Sequence, residues 1–160
     1  MAGVGFDAKV INNVMPEMKK VFGALSYFLT GVKTLVDYKP IPLFIKVDDN
    51  IKIEGYSVII GNVKRYGAKT LTVTTNADMT DGLLDVCIFK KKKRLDFLRY
   101  AFKILAQRHT SCLDIGFLKA KRIEITANKS VLVHTDCEVI GSTPMEFTVF
   151  PKALKVTTPY

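Results

Sequence analysis

The clearest periodic stretch of the chain runs from Pro16 to Tyr38, where apolar side chains fall at Met18, Val21, Phe22, Leu25, Phe28, Leu29, Val32, Leu35 and Val36. That three-and-four spacing predicts an amphipathic helix, with Glu17, Lys19, Lys20 and Lys33 on its other side. Pro40 and Pro42 end helical structure. Ile41, Leu43, Ile45 and Val47 then alternate with Pro42, Phe44, Lys46 and Asp48, which predicts a strand closed by the turn Asp48-Asp49-Asn50. Ile51 to Val63, rich in Ile, Val and Tyr, reads as one long second strand of the same hairpin.

Further strands are expected at Thr70 to Thr75 and Leu84 to Phe89. A second helix follows Arg94 with Phe97, Leu98, Ala101, Phe102 and Leu105 on one core-facing side, and ends near His109. Arg122 to Thr126, Ser130 to Thr135, Glu146 to Val149 and Leu154 to Thr157 complete the set of strands, separated by short polar turns. Many short strands and few helices predict a mostly β fold, with antiparallel sheets folded into a sandwich or open barrel and helices packed at the side. No internal repeat or second boundary interrupts the pattern, so residues 1–160 are read as a single domain.

Composition narrows the function classes. An apolar fraction of 48% over 160 residues suits one domain with a sizeable core. Lys and Arg outnumber Asp and Glu by 24 to 15, so the surface attracts anions: nucleic acid, acidic lipid headgroups or phosphorylated small molecules. Nucleic acid is disfavoured because basic and aromatic residues do not alternate along any strand, as a base-stacking sheet needs. Cys87, Cys112 and Cys137 are odd in number and lack a CxxC pattern, which excludes a disulfide framework and points to a reducing, cytoplasmic compartment. The uncharged stretch Val21 to Val32 is shorter than the roughly 20 residues of a membrane span, so membrane contact is expected to be peripheral. A domain that opens almost at once on Gly3-Val4-Gly5-Phe6-Asp7 is expected to be cut from something longer.

Two acidic clusters carry candidate chemistry. Asp78, Asp81 and Asp85 flank Gly82 just before a strand; such a loop can wrap backbone carbonyls and a carboxylate around Mg²⁺, or be a tight turn with Gly82 at positive φ. Asp136-Cys137-Glu138 follows the apolar run Val131-Leu132-Val133, and a carboxylate there is either a general base or a solvated hairpin end. His109, near a helix end, and His134, on a strand, read as structural. Lys90-Lys91-Lys92-Lys93-Arg94 is a solvated helix entrance or a contact for anionic lipid. No GxxxxGK[ST] or GxGxxG loop is present, so a nucleotide site is not visible.

In order along nearly the whole chain, the segments resemble the carboxy-terminal domain of the bacterial diacylglycerol kinase, sphingosine kinase-like and YegS-type lipid kinases. The resemblance runs through Gly3-Val4-Gly5-Phe6-Asp7-Ala8, Asn76 to Val86 with its Asp-Gly-x-Leu-Asp core, Lys119 to Ile125, Asp136-Cys137-Glu138, Thr143-Pro144 and Phe150-Pro151-Lys152-Ala153-Leu154-Lys155-Val156. The family usually has Gly where Cys137 stands and Pro where Thr75 stands.

The resemblance implies the β-sandwich-like, lipid-substrate half of an enzyme that moves the γ-phosphoryl group of ATP to a lipid hydroxyl such as that of diacylglycerol. ATP would be gripped by an amino-terminal domain absent from this chain, leaving the fragment inactive by itself. By the same resemblance Glu138 is the general base with Asp136 beside it, and Asp81 with the backbone carbonyls of Asp78 and Leu83 is a structural Mg²⁺ site. Implied partners are the membrane lipid substrate, an anionic membrane surface, the nucleotide-binding domain and, with the oligomeric state open, a second copy in a homodimer. The alternatives are a non-catalytic lipid-binding module and, more remotely, a basic nucleic-acid-binding β-domain.

Overall fold

The computed structural model describes residues 1–14, 24–48, 51–64 and 72–155, and among these it holds ten strands and three α-helices. In chain order they are β1 (Ala2–Val4), α1 (Phe6–Asn13), α2 (Ala24–Asp37), β2 (Leu43–Val47), β3 (Ile51–Gly55), β4 (Ser57–Gly61), β5 (Leu84–Phe89), α3 (Arg94–Leu105), β6 (Ile115–Ala120), β7 (Arg122–Ala127), β8 (Leu132–Thr135), β9 (Glu138–Ser142) and β10 (Met145–Thr148). A six-stranded sheet has the order β6-β5-β4-β1-β8-β9, and a four-stranded sheet the order β10-β7-β2-β3. Every pairing is antiparallel. The mostly β architecture of two antiparallel sheets with flanking helices is the one the pattern predicts.

Between the sheets lies the main core. Val58, Ile60, Val86 and Ile88 from the larger sheet meet Leu43, Ile45, Ile123 and Ile125 from the smaller. The alternate residues of the same strands, Ile59, Cys87 and Phe89, point the other way and pack with Tyr100 of α3 and Ile115. The larger sheet is thus covered on both faces, which is why β4 and β5 read as nearly unbroken apolar runs. Aromatic rings tie the helical layer together: Phe6 of α1 lies 5.0 Å from Tyr38 and 5.1 Å from Phe97 of α3, centroid to centroid.

The hairpin of β2 and β3 forms in the expected place, with Leu43 opposite Gly55 and Val47 opposite Ile51. The long strand read from Ile51 to Val63 is, however, two strands in two different sheets. At Gly55-Tyr56 the chain leaves the smaller sheet and enters the larger one. A Cβ on Gly55 would lie 2.6 Å from Ile88 Cγ2, so the crossing needs a residue without a side chain. Tyr56 donates its N–H to the carbonyl of Phe89 at 2.8 Å and fixes the bend.

Other expectations are corrected. The first helix covers 24–37 of the predicted 16–38, and 15–23 lie outside the described residues. Of the strand expected at Thr70 to Thr75, Thr72 makes a single bridge and the chain then bends; 65–71 lie outside the described residues. The strand expected from Leu154 is irregular through Lys155, and 156–160 lie outside the described residues. The second helix stops at Leu105, and His109 belongs to a separate 3₁₀ turn, fully buried, with Nε2 2.9 Å from the carbonyl of Val73. Its expected place at the helix end is lost because Gln107 takes a positive φ of 52° and turns the chain inward.

Four elements have no counterpart in the sequence reading: β1, α1, β6 and β9. β1 is three residues long, and β9 is an edge strand whose side chains are almost all exposed, so neither carries a periodic signal.

Candidate functional site

The carboxylates singled out in the sequence all stand at one end of the six-stranded sheet. Register fixes this: Lys119 of β6 pairs with Asp85 of β5, Asp85 with Gly61 of β4, Ile60 with Ala2 of β1, Ala2 with Thr135 of β8, and Thr135 with Glu138 of β9. The two acidic segments share that edge without touching, for four strand spacings of about 4.8 Å each put them roughly 19 Å apart.

At one corner, Asp136 and Cys137 are the two central residues of the β8–β9 hairpin, with φ 46° and 66°. Two left-handed residues in a two-residue loop match the twist of the flanking strands. The turn is anchored by the Asp136 N–H, which donates to the carbonyl of Met1 at 2.8 Å. Glu138 follows as the first residue of β9, exposed, and its carboxylate has no bonding partner among the described residues. A carboxylate so placed is free to receive a hydroxyl proton from an incoming molecule.

Behind the hairpin, on the α1 face of the sheet, lies a pair that the sequence reading missed. His134 is fully buried on β8, and its Nε2 sits 2.7 Å from Oδ2 of Asp7 in the first turn of α1. Gly3, opposite His134 on β1, leaves the room for it: a Cβ there would overlap both His134 Nε2 and Asp7 Oδ2. The pair binds α1 to the strand that carries the hairpin.

At the other corner, the loop from Asp78 to Leu83 is built from short-range side-chain bonds. Asp78 Oδ1 accepts the N–H and hydroxyl of Thr80 at 2.8 and 2.7 Å, which hold its carboxyl below the usual range. Asp81 Oδ1 accepts the N–H of Leu83 at 2.9 Å, across Gly82 at φ 69°. Asp81 Oδ2 lies 2.5 Å from Lys119 Nζ, and that ammonium is the main reason the Asp81 carboxyl sits below its ordinary range. Asp85 is buried at the strand start; its Oδ2 accepts no hydrogen bond from the described residues, and Lys119 stands 3.6 Å away. Burial pushes the Asp85 carboxyl up, against the pull of Lys119. Pro151, from the closing segment, packs 3.4 Å from where a Gly82 Cβ would be, so the Asp-Gly-x-Leu-Asp loop and the closing segment touch.

A carboxylate and backbone carbonyls are the kind of oxygen a hard cation takes; here the Asp78 carbonyl lies 3.5 Å from the Asp81 N–H. The positive charge on Asp81 in this structure is the ammonium of Lys119. Among the described residues, no three His, Cys, Asp or Glu side chains converge as a metal cage. Lys119 escapes a reading of spacing because it lies 38 residues beyond its partner.

A cavity of about 760 Å³ opens between α1, α2 and the start of β8, lined among others by Lys9, Thr30, Lys33, Tyr38, Ile41 and Leu132. Three distant segments build it, so no local pattern announces it. It faces the end of β8 away from Thr135, and Glu138 is not among its walls.

Residues 1–158 match the family model described as the YegS C-terminal NAD kinase beta sandwich-like domain. A diacylglycerol kinase of Mycobacterium tuberculosis strain H37Rv is 26% identical over 161 residues, covering 99% of this chain and 51% of that protein. A diacylglycerol kinase of Bacillus subtilis strain 168 is 23% identical over 159 residues, covering 99% and 52%. The crystal structure of a diacylglycerol kinase from Bacillus anthracis strain Sterne superposes with a TM-score of 0.62 at 25% identity, covering 94% of this chain and 48% of that one. The chain therefore spans about half the length of these relatives. With a family model matched over almost its full length, the chain belongs to the YegS C-terminal NAD kinase beta sandwich-like domain family.

Proposed function

We propose that this chain is the substrate-side half of an ATP-dependent lipid kinase, which transfers the γ-phosphoryl group of ATP to a lipid hydroxyl such as that of diacylglycerol. The observation that carries the reading is Glu138, an exposed carboxylate without a partner among the described residues, on the rim of a domain whose relatives are named diacylglycerol kinases. Phosphoryl transfer depends on positioning and charge stabilisation more than on covalent help from the protein. Glu138 orients the acceptor hydroxyl and takes its proton, and Asp136 holds the turn on which Glu138 stands.

ATP is supplied by a nucleotide-binding domain outside this chain. Mg²⁺ fits at Asp81 with the carbonyls of Asp78 and Leu83, where it would brace the loop; the Lys119 ammonium must yield Asp81 Oδ2 to it.

The test is transfer of labelled phosphate from ATP to a panel of lipid alcohols by the full-length protein, with this chain alone as the control. Transfer by the full-length protein and none by the chain is expected. Phosphorylation by the chain alone, or by neither, contradicts the division of labour proposed.

A further inference from the structure

The sequence pattern assigns Phe97, Leu98, Ala101, Phe102 and Leu105 of α3 to the core, and the structure redistributes them. Phe97 and Tyr100 are buried, whereas Leu95, Phe102 and Leu105 are 76%, 55% and 54% exposed. Residues 95, 98, 102 and 105 recur at helical spacing, so the exposed ones form a stripe on the side of α3 away from the sheet.

This stripe is not isolated. α2 and α3 run antiparallel: Arg94 Nε donates to the carbonyl of Tyr38 at 3.0 Å and its Nη1 to that of Val36, while Phe28 and Phe102 meet at 6.2 Å one helix length away. On α2, Val32 and Val36 are 43% and 64% exposed. Two neighbouring helices thus each leave apolar side chains facing solvent. Leu113, fully exposed, lies next to Asp114, which is bonded to Arg99 and Tyr100 of α3.

The charge around the stripe is mostly positive. Lys90, Lys91, Lys92 and Lys93 precede α3, all exposed and without an ion pair among the described residues, and Lys103 flanks Phe102. Of the nearby acids, Asp96 and Asp114 are held by Arg99, and Asp37 remains at the end of α2. A folded core gains nothing from this arrangement. Apolar side chains rimmed by lysines match the section through a membrane interface, with hydrocarbon at the centre and anionic headgroups around it.

We propose that the outer face of the α2–α3 pair, centred on Leu95 and Phe102 and rimmed by Lys91 to Lys93, docks on the surface of an anionic lipid bilayer. The proposal deepens the lipid-kinase reading and rests on it only for the purpose of docking, which is to bring an acceptor held in a membrane to the domain. Lysines suit this partner because a hydrated ammonium on a flexible stem needs charge nearby rather than a fixed fork of acceptors.

Flotation with phosphatidylcholine vesicles, with and without phosphatidylglycerol, tests it in the full-length protein without ATP. Two variants are compared with the native protein: Lys91→Gln with Lys92→Gln and Lys93→Gln, and Leu95→Glu with Phe102→Glu. All five positions are in exposed side chains, and unchanged circular dichroism and melting temperature verify the fold. Native protein is expected to bind only vesicles that contain phosphatidylglycerol. Loss of three cations should weaken that binding about a hundredfold, and the glutamate pair should abolish it.

Binding that is absent, equal on neutral vesicles, or unaltered in both variants overturns the proposal. So does a glutamate pair that dissociates a dimer while vesicle binding persists, since the face is then a protein interface. Vesicle binding with no phosphorylation of any lipid would strike the kinase reading and leave this one standing. Kinase activity on a short-chain acceptor with no vesicle binding would do the reverse.

Discussion

Cys137 holds a left-handed backbone at φ 66°, where a β-carbon costs about 1–2 kcal/mol relative to glycine. Part of that gain is returned by the greater freedom of glycine in the unfolded chain. Cys137→Gly is therefore expected to stabilise the domain by about 0.5–1 kcal/mol, seen as a higher urea midpoint at unchanged slope. A lower midpoint would show that the thiol's contacts outweigh the backbone strain. The resemblance implies glycine at this position, and the left-handed φ of Cys137 is one that glycine takes without strain. The segments around Asp81 and Glu138 were legible as turns because each is a short acidic stretch beside an apolar strand, while the roles given to the two carboxylates came from the resemblance alone. Lys119, and Asp7 with His134, were not legible, because pairs 38 and 127 residues apart leave no trace in local spacing.

Between elements, the sharpest departure from the pattern is the switch of sheets at Gly55. A period-two run from Ile51 to Val63 has no proline to break it, and alternation is the same whether a strand stays in one sheet or changes to another. What decides is the approach of Gly55 to Ile88, a contact only the assembled sandwich reveals. Gly55→Ala is expected to destabilise by about 2 kcal/mol through overpacking, and Ile88→Ala by about 3–4 kcal/mol through lost burial. The double variant should be less destabilised than the sum by about 1 kcal/mol or more, since truncating Ile88 makes the room that the methyl group added at Gly55 needs. Strict additivity would mean the close approach does not limit the crossing.

The tether of α3 to the start of β6 is sensitive to acid. Burial alone would push the Asp114 carboxyl up, but the Tyr100 hydroxyl and the Arg99 guanidinium bring it below the usual range. A carboxyl lowered on folding contributes stability that is fully present above its unfolded value, about 3.9, and lost as pH falls through the folded value. Melting temperatures should fall in that acid window, and Asp114→Asn should fall less steeply there than the native chain. Equal slopes would remove Asp114 from the account. The exposed stripe of α3 belongs to this scale too: helical periodicity showed that the helix has an apolar side, while burial showed it has more apolar surface than the core takes up.

In the molecule as a whole, one end of the six-stranded sheet carries both acidic corners and presents Glu138 outward. The sandwich class was legible because short strands and turns dominate the chain. The sheet order was not, since β1 and β9, the strands that bring Glu138 to that edge, are too short or too exposed to leave a pattern. The central claim is that Glu138 activates a lipid hydroxyl toward ATP. It is tested most directly by the turnover of the full-length protein with Glu138→Gln on its lipid acceptor. The account predicts a fall in kcat of about 10²–10⁴-fold, with the melting temperature and vesicle binding unchanged. Native turnover in the Glu138→Gln protein would contradict it.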